Sequence, residues 1–238
     1  MTKKRKIIVI SIALFVFLSI GIGLTYLFTV VLPQKREREQ FLKAAQEYYD
    51  AKLTMYENEN ERYDDYEVDV AFLGDSLTDG YLLEEYYPQY LVLNRGIGGE
   101  TTFGLEERLK VSVYDLKPKI AVMLIGANNC DTMFDNYENI LKGFNENVPN
   151  TKIVLLSLTS MGGEWGKKNQ KAAYNNVKIK LLAEKYGYEF VDLYSPLLNL
   201  ETGEIYAEYT TDGGHLTCLG YEVLTNAISP TLKRLLGR

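Results

Sequence analysis

The sequence of 238 residues has few of the residues that build metal centres and disulfide scaffolds, with one histidine and two cysteines. Cys130 and Cys218 are too few for a fold held by disulfides, and their spacing does not match a zinc site. No internal repeat or low-complexity segment is present, which excludes a repeat architecture. The protein must therefore fold by packing its apolar side chains.

After the first six residues, acidic residues outnumber basic ones. Of the 26 basic residues, four form the run KKRK at residues 3–6, whereas all 32 acidic residues lie further along the chain. The part after residue 32 therefore carries a formal charge of about −10. Binding of nucleic acid needs a basic footprint, so nucleic acid is excluded as a partner. A polyanionic substrate would also be repelled on approach unless a local basic patch attracts it.

An uncharged, mostly apolar stretch at residues 7–32 is long enough to cross a bilayer as a helix. It exceeds the usual length of a signal-peptide core, which favours a retained signal anchor over cleavage. More Lys and Arg residues precede the stretch than follow it, which favours a cytoplasmic N-terminus. We therefore expect a single-pass protein of the cell membrane, anchored through residues 1–33, with the rest of the chain outside the cytoplasm; a cytoplasm-facing domain is the alternative.

Residues 34–66 have apolar side chains spaced by three and four, which is typical of a helix. This helix is either a stalk that holds a domain off the membrane or the first helix packed on that domain. Residues 67–238 then form one domain with a substantial core.

The chain after residue 67 alternates apolar runs rich in β-branched residues with helical patterns. The runs predict strands at 68–74, 91–96, 120–126, 152–158 and 189–194, and the helical patterns lie at 104–116, 136–146, 168–186 and 217–236. Most of the predicted strands are apolar on both faces, as in buried parallel sheets. We therefore predict an α/β fold with a doubly wound, mostly parallel, five-stranded sheet covered by helices on both faces, preceded by one transmembrane helix.

Ligands of such sheets bind where the strands end, and two loops there carry a possible nucleophile and base. Ser76, in GDSLTDG, directly follows the first predicted strand. His215, in TDGGH, is the only imidazole that could take its proton. Asp212, three residues earlier, is close enough in a turn to orient the histidine ring. Taken alone, GDS is also an ordinary turn with a helix cap, and a lone histidine is more often structural.

A serine nucleophile also needs hydrogen-bond donors for the oxyanion that forms on the substrate. Gly98 and Gly99, in NRGIGGETT, offer backbone N–H groups, and Asn128, in GANNC, places a side-chain amide after a strand. The alternatives are a plain turn for the glycines and a capping residue for Asn128.

Together these motifs resemble the SGNH hydrolases, also called GDSL-type esterases, over residues 70–236. GDSLT matches the nucleophile motif and implies that Ser76 is the nucleophile and contributes its backbone N–H to the oxyanion hole. GIGGETT matches the second motif and implies Gly99 as a backbone donor, and GANN implies Asn128 as the side-chain donor. DGGHLTCLGY matches the last motif, with Asp212 and His215 completing the triad.

Two positions depart from the family pattern. Asn129 stands where an acidic residue usually ends the third motif, and the last motif has glycine where a larger residue is common. The first departure bears on the geometry of its loop, and the second on the turn that positions His215. Neither removes a catalytic group.

The resemblance implies a serine esterase of the SGNH fold that works through an acyl-enzyme, without a metal or an organic cofactor. Its substrates would be small-molecule or glycan acyl esters, such as acetyl esters of carbohydrates or of the cell envelope. O-acetyltransferases, lysophospholipases and thioesterases use the same machinery, so these activities remain alternatives. A protein of another class, a catalytically inactive envelope binding protein, is disfavoured by the four intact residues Ser76, Asn128, Asp212 and His215.

Four further residues have two interpretations each. Trp165 is either a substrate platform on a mobile loop or a partly buried anchor. Cys130 and Cys218 both follow site loops, and an extracellular setting permits a disulfide between them, although free thiols are favoured. Asp192 resembles a triad acid, but Asp212 has the better spacing, so Asp192 is interpreted as a structural carboxylate at a strand end.

Overall fold

The structure is a computed structural model that describes residues 2–237. Its contacts divide the chain into a first unit that ends at Ala51 and a second unit that begins at Lys52. The N-terminal helical region consists of α1 (Lys3–Tyr26), a π-helical segment (Leu27–Val31) and α2 (Leu32–Asn60). Among residues 2–237 this is the one helical region long and apolar enough to cross a membrane, a property that it shares with signal sequences.

The second unit is built on the predicted five-stranded parallel sheet. Its strands are β1 (Val70–Gly74), β2 (Val92–Gly96), β3 (Ile120–Leu124), β4 (Lys152–Leu156) and β5 (Glu189–Val191). They lie in the order β2-β1-β3-β4-β5, and every neighbouring pair is parallel. All residues of β1 and β3 are buried, which explains their continuous apolar sequence. The strand order reverses at β1, so the carboxyl ends of the strands around β1 are the expected ligand-binding position.

The helices around the sheet complete the fold. They are α3 (Ser76–Asp79), α4 (Leu83–Tyr86), α5 (Thr102–Glu107), α6 (Tyr137–Asn147), α7 (Gly166–Tyr186), α8 (Tyr194–Leu197) and α9 (Cys218–Leu236). A π-helical segment spans Lys110–Tyr114, three 3₁₀ turns span Met133–Asp135, Gly163–Trp165 and Ala207–Tyr209, and a small antiparallel hairpin pairs β6 (Leu198–Asn199) with β7 (Glu204–Ile205). The predicted helices at 136–146, 168–186 and 217–236 are confirmed within a few residues.

The helix predicted at 104–116 is wrong as a single element. It breaks at Arg108, which follows α5 with non-helical dihedral angles, and resumes as the π-helical segment. The Arg108 side chain is buried and paired with a buried carboxylate, Glu100. Apolar spacing alone does not reveal such a partner, because Glu100 lies outside the helical pattern.

The last turns of α2 pack into the second unit. Tyr56 is fully buried and donates a hydrogen bond from Oη to the carbonyl oxygen of Gly96 at 2.7 Å. Arg95, also fully buried, lies 4.5 Å from the Tyr56 ring centroid and 2.7 Å from Glu59. Its Nη2 donates to Asn60 Oδ1 at 2.9 Å. Of the two interpretations of residues 34–66, these contacts support the packed first helix for residues 52–60, and we propose that the domain predicted at residues 67–238 also includes them.

Replacing Tyr56 with alanine tests this packing. The Tyr56→Ala variant of the full chain in detergent micelles should lose about 3–5 kcal/mol of unfolding free energy, the usual cost of removing a buried aromatic ring. Urea unfolding followed by the fluorescence of Trp165, the only tryptophan, measures the loss. Phe41→Ala is the control, because Phe41 lies on the same helix but is 71% exposed. Equal stability of the two variants would contradict the packing.

Candidate active site

Ser76 is presented by a strand, a tight turn and a short helix. β1 ends at Gly74, and Ser76 is the first residue of α3. The Asp75 side chain caps this helix by accepting a hydrogen bond from the Leu77 N–H at 3.1 Å. Gly74 is required by close packing, since a Cβ there would collide with Thr78 and with a backbone carbonyl of β3. The GDSLT motif therefore places Ser76 at the carboxyl edge of the central strand.

The structure brings Ser76, His215 and Asp212 together as one hydrogen-bonded series. Ser76 Oγ lies 3.1 Å from His215 Nε2, and His215 Nδ1 lies 2.7 Å from Asp212 Oδ2. The second Asp212 oxygen accepts from the backbone N–H groups of Gly214 and His215 at 2.9 and 2.7 Å. This is the geometry in which a carboxylate fixes the orientation of an imidazole beside a serine hydroxyl.

Asp212 is held in its ionised form. Its partial burial acts to raise the pKa, but hydrogen bonds from the His215 ring and from the backbone of His215 and Gly214 outweigh this effect. The pKa of Asp212 is therefore well below the ordinary value of 3.8. An ionised Asp212 favours a proton on the Nδ1 of His215, which leaves Nε2 free to accept a proton from Ser76.

Asn128 and Gly99 occupy different positions relative to Ser76. Asn128 lines the same cavity as Ser76 and His215. Its Nδ2 donates one hydrogen bond to the backbone carbonyl of Glu100 at 2.8 Å, and a side-chain amide has a second N–H to offer. Gly99 lies outside the lining of this cavity, one residue before Glu100, in the left-handed region at φ 77°. That conformation favours glycine and explains its place in the GIGGETT motif.

A buried ion pair that the sequence interpretation missed joins the loops of Ser76 and Gly99. The Nε and Nη2 atoms of Arg108 donate to the carboxylate of Glu100, and Nη2 also donates to the carbonyl oxygen of Gly74 at 3.1 Å. Nη1 donates to Ser112 Oγ at 2.7 Å. Arg108 and Ser112 lie on the same helical stripe as buried leucines of the 104–116 pattern. Arg108 is a charged residue on an apolar stripe, and this pattern could have indicated the ion pair, because a buried charge needs a buried partner.

Asn129 supports the loop that begins α5, which accounts for its departure from the family pattern. Its Oδ1 accepts from the Thr102 N–H at 3.3 Å, and its Nδ2 donates to Thr102 Oγ1 at 2.9 Å. The Thr102 hydroxyl in turn donates to Asn136 Oδ1 at 2.7 Å. An ionised carboxylate at position 129 could only accept, whereas the asparagine both accepts and donates.

Trp165 closes one side of the cavity. Its ring is half-buried and meets the His215 ring edge to face, with 5.7 Å between centroids. Lys168 Nζ lies 4.5 Å from the Trp165 ring centroid and donates to the carbonyl oxygen of Ala127 at 3.1 Å. A Cβ at Gly214 would collide with the indole ring, so the glycine in DGGH makes room for Trp165. The partly buried anchor is therefore the interpretation of Trp165 that fits the contacts.

The cavity beside Ser76 has a volume of about 10 Å³. A single water molecule needs about 10–15 Å³ on the same scale, so the cavity admits one group of that size. Its lining consists of Asp75, Ser76, Leu77, Ala127, Asn128, Thr159, Met161, Trp165, Gly214 and His215.

The remaining sequence candidates lie outside this arrangement. Cys130 is buried, Cys218 is exposed and both thiols are free, so the disulfide does not form in the structure. Asp192 accepts hydrogen bonds from the backbone and hydroxyl groups after β5, including Ser195 Oγ at 2.5 Å and the Tyr194 N–H at 2.9 Å. It is a structural carboxylate, as interpreted from the sequence. Within residues 2–237, no group of three or more His, Cys, Asp or Glu side chains is arranged to hold a metal ion.

Comparison with known proteins places this site in a family context. The model of the GDSL-like lipase/acylhydrolase family matches residues 72–223. Among solved structures, the chain is similar to a protein from Bacteroides fragilis assigned as an acylhydrolase, with 26% identity and a TM-score of 0.68 over 76% of this chain and 95% of that chain. A protein from Streptococcus pneumoniae described as a platelet activating factor has 26% identity and a TM-score of 0.68, over 83% and 99% of the two chains.

A variant of an acetyl xylan esterase from Geobacillus stearothermophilus shares the fold at 22% identity, with a TM-score of 0.59 over 71% of this chain and 95% of that chain. A search of curated proteins finds no significant match to the sequence.

The buried Asp75 carboxyl should make folding stability depend on pH. Burial, together with the charge of Glu100, raises the pKa of Asp75 to about 7, although the hydrogen bond from Leu77 opposes the rise. The folded protein then keeps a proton that the unfolded chain loses near pH 4. Stability from this group is complete below about pH 4 and is lost as the pH rises through 7, a change of about 4 kcal/mol.

Asp75→Asn removes this titration and keeps a helix-capping side chain. Between pH 4 and pH 8 the wild type should lose about 4 kcal/mol more unfolding free energy than the variant, as measured by urea unfolding at each pH. Comparing the two proteins cancels the contribution of every other titrating group. Identical pH dependence in both would show that Asp75 titrates normally.

Proposed function

The chain belongs to the GDSL-like lipase/acylhydrolase family, and we propose that it is a serine esterase that removes short acyl groups, acetyl above all, from carbohydrate or cell-envelope esters. The observation that carries this proposal is the Ser76–His215–Asp212 series at a cavity of about 10 Å³. The series supplies an activated nucleophile, and the cavity limits the acyl group that this nucleophile can reach.

The first half of the reaction forms an acyl-enzyme. His215 Nε2 takes the proton of Ser76 Oγ while this oxygen attacks the ester carbonyl. The carbonyl oxygen becomes an oxyanion, which accepts hydrogen bonds from the backbone N–H groups of Ser76 and Gly99 and from the second N–H of Asn128 Nδ2. Protonated His215, stabilised by ionised Asp212, then gives its proton to the departing alcohol oxygen as the C–O bond breaks.

The second half releases the acid. A water molecule occupies the position of the departed alcohol and loses a proton to His215 Nε2 as it attacks the acyl carbon. The tetrahedral intermediate uses the same three donors, and His215 returns the proton to Ser76 Oγ as the acyl bond breaks. Every step uses groups that this chain provides.

The size of the cavity supports acetyl as the acyl group. A methyl group is similar in size to one water molecule, so the acetyl methyl fits where a longer chain would meet the ring of Trp165 and the side chain of Met161. The fold shared with an acetyl xylan esterase supports acetylated carbohydrate as the substrate class. The acidic charge of the part after residue 32 disfavours polyanionic esters.

We further propose that the N-terminal helix anchors the enzyme in the cell membrane and that the catalytic domain lies outside the cytoplasm. The apolar helix after the basic run at residues 3–6 supports this orientation. Esters of the cell envelope or imported glycans would then be within reach of the site.

Loss of the nucleophile or of the base should abolish turnover. In Ser76→Ala and His215→Ala, hydrolysis of p-nitrophenyl acetate should fall about 10⁵- to 10⁶-fold, and Asp212→Asn should lose about 10⁴-fold because the ring takes the wrong tautomer. Ser195→Ala, which changes an exposed serine, is the matched control and should keep the wild-type rate. Wild-type turnover in Ser76→Ala would refute the assignment, and acetyl transfer to an added alcohol in preference to water would identify a transferase.

Enlarging the cavity should relax the selection for acetyl. Trp165→Ala removes the ring that closes one side, so kcat/KM for p-nitrophenyl butyrate relative to the acetate should rise by about tenfold or more. Trp165→Phe keeps an aromatic wall and serves as the control, with a ratio close to that of the wild type. A ratio unchanged in Trp165→Ala would show that another side chain sets the acyl length.

A further inference from the structure

Lys52, on α2, is connected to the loop of Gly99 through one carboxylate. Its Nζ donates to Asp79 Oδ1 at 2.6 Å, and Asp79 Oδ2 accepts from the backbone N–H of Gly98 at 3.1 Å. The side chains of Lys52 and Asp79 are only 21% and 18% exposed. An ion pair so shielded from water is stronger and better oriented than one on the open surface.

The same face of α2 holds the start of this loop. Tyr56, one turn after Lys52, donates to the carbonyl oxygen of Gly96. Gly96 in turn lies against α3, since a Cβ there would collide with the backbone of Thr78 and Asp79. Two residues of α2 therefore hold this loop: Tyr56 binds Gly96 directly, and Lys52 is connected to Gly98 through Asp79.

The backbone N–H groups of this loop need a restraint on their direction, because Gly98 and Gly99 are adjacent glycines. Glycine has the greatest backbone freedom of all residues, and two in succession allow an N–H group to sample many directions. An oxyanion donor acts only when its direction is fixed before the reaction. The bond from Gly98 to Asp79 restrains the residue directly before the Gly99 donor, and Asp79 belongs to the helix that begins with Ser76.

We propose that Lys52 and Asp79 are positioning residues that orient the Gly98–Gly99 loop toward the oxyanion formed at Ser76. Lys52 holds the Asp79 carboxylate, the carboxylate holds the Gly98 N–H, and the Gly99 N–H is thereby presented to the substrate. The role in catalysis rests on the proposed function, whereas the restraint on the loop does not depend on it. Neither residue touches the reacting atoms.

The test compares four variants of the full chain in detergent micelles: Lys52→Met, Lys52→Arg, Asp79→Asn and Lys43→Met. Lys52→Met keeps the apolar stem but removes the charge, and we expect kcat for p-nitrophenyl acetate to fall about tenfold with KM within about twofold, as for a loss of positioning. Lys52→Arg should restore most of kcat. Lys43→Met is the matched control on the same helix, because Lys43 pairs with Glu47 in an exposed ion pair.

Inhibition by methylboronic acid separates positioning from general damage. This compound forms a tetrahedral anion on a nucleophilic serine and so mimics the oxyanion. Its inhibition constant should rise in Lys52→Met and Asp79→Asn in parallel with the fall in kcat/KM. The inhibition constant of acetate should remain constant.

Hydrogen exchange of the peptide that covers residues 97–101 tests the restraint without any turnover. Its amide exchange should accelerate in Lys52→Met and Asp79→Asn but not in Lys43→Met, while the β3 and β4 peptides remain protected. Wild-type exchange in both variants, or acceleration across the whole sheet, would overturn the proposal. So would unchanged kcat in both variants of an active enzyme. A wild type without ester turnover would refute the proposed function, and the exchange result would still decide whether Lys52 and Asp79 restrain the loop.

Discussion

The rest of the site depends on one buried guanidinium, that of Arg108. A charge removed from water is tolerated only with a close partner and satisfied hydrogen bonds, so Arg108 draws Glu100 into the interior and binds the last carbonyl of β1 at Gly74. Glu100, once fixed, offers its backbone carbonyl to Asn128. The loops that follow β1, β2 and β3 are therefore linked through a single ion pair, and Arg108 itself lies at the break between α5 and the π-helical segment.

The loop of His215, near the C-terminal end of the chain, is the fourth loop of the site. It is held by other interactions than the Glu100–Arg108 ion pair. The loop of His215 is ordered by short-range bonds to Asp212, by a backbone bond from Gly162 N to Gly213 O at 2.9 Å, and by the packing of Trp165 on Gly214. Glycine at positions 213 and 214 allows the two loops to approach, since a Cβ at either position would collide with Gly162 or with the Trp165 ring. The His215 ring is oriented by the hydrogen bond to Asp212 and by the edge-to-face contact with Trp165.

The sequence predicted what depends on local patterns and missed what depends on distant partners. The succession of strands and helices along the chain follows from apolar runs and turn residues. The meeting of Ser76, Asp212 and His215 follows from the rule that parallel strands end at one edge, together with the resemblance to the GDSL-type esterases. The ends of β3 and β4 were overextended, because the apolar runs continue past the sheet into site loops. Arg108 on an apolar stripe indicates a buried partner but does not identify Glu100, and the pattern around Lys52 carries no sign of Asp79.

Under the proposed function, the two sides of the position that a substrate carbonyl takes beside Ser76 differ, and the difference bears on which part of an ester is selected. The cavity that the proposed function assigns to the acyl group is small, about 10 Å³, whereas the side chains of His215 and Asp212 are 45% and 41% exposed. In the proposed mechanism the proton for the departing alcohol comes from His215 on that exposed side, so a bulky sugar would leave without entering a pocket. Under the proposed function, we expect such an enzyme to discriminate strongly by acyl length and weakly by the alcohol. This combination suits the removal of one small substituent from many positions of a large carbohydrate, because the polymer stays in solvent and only the substituent is enclosed.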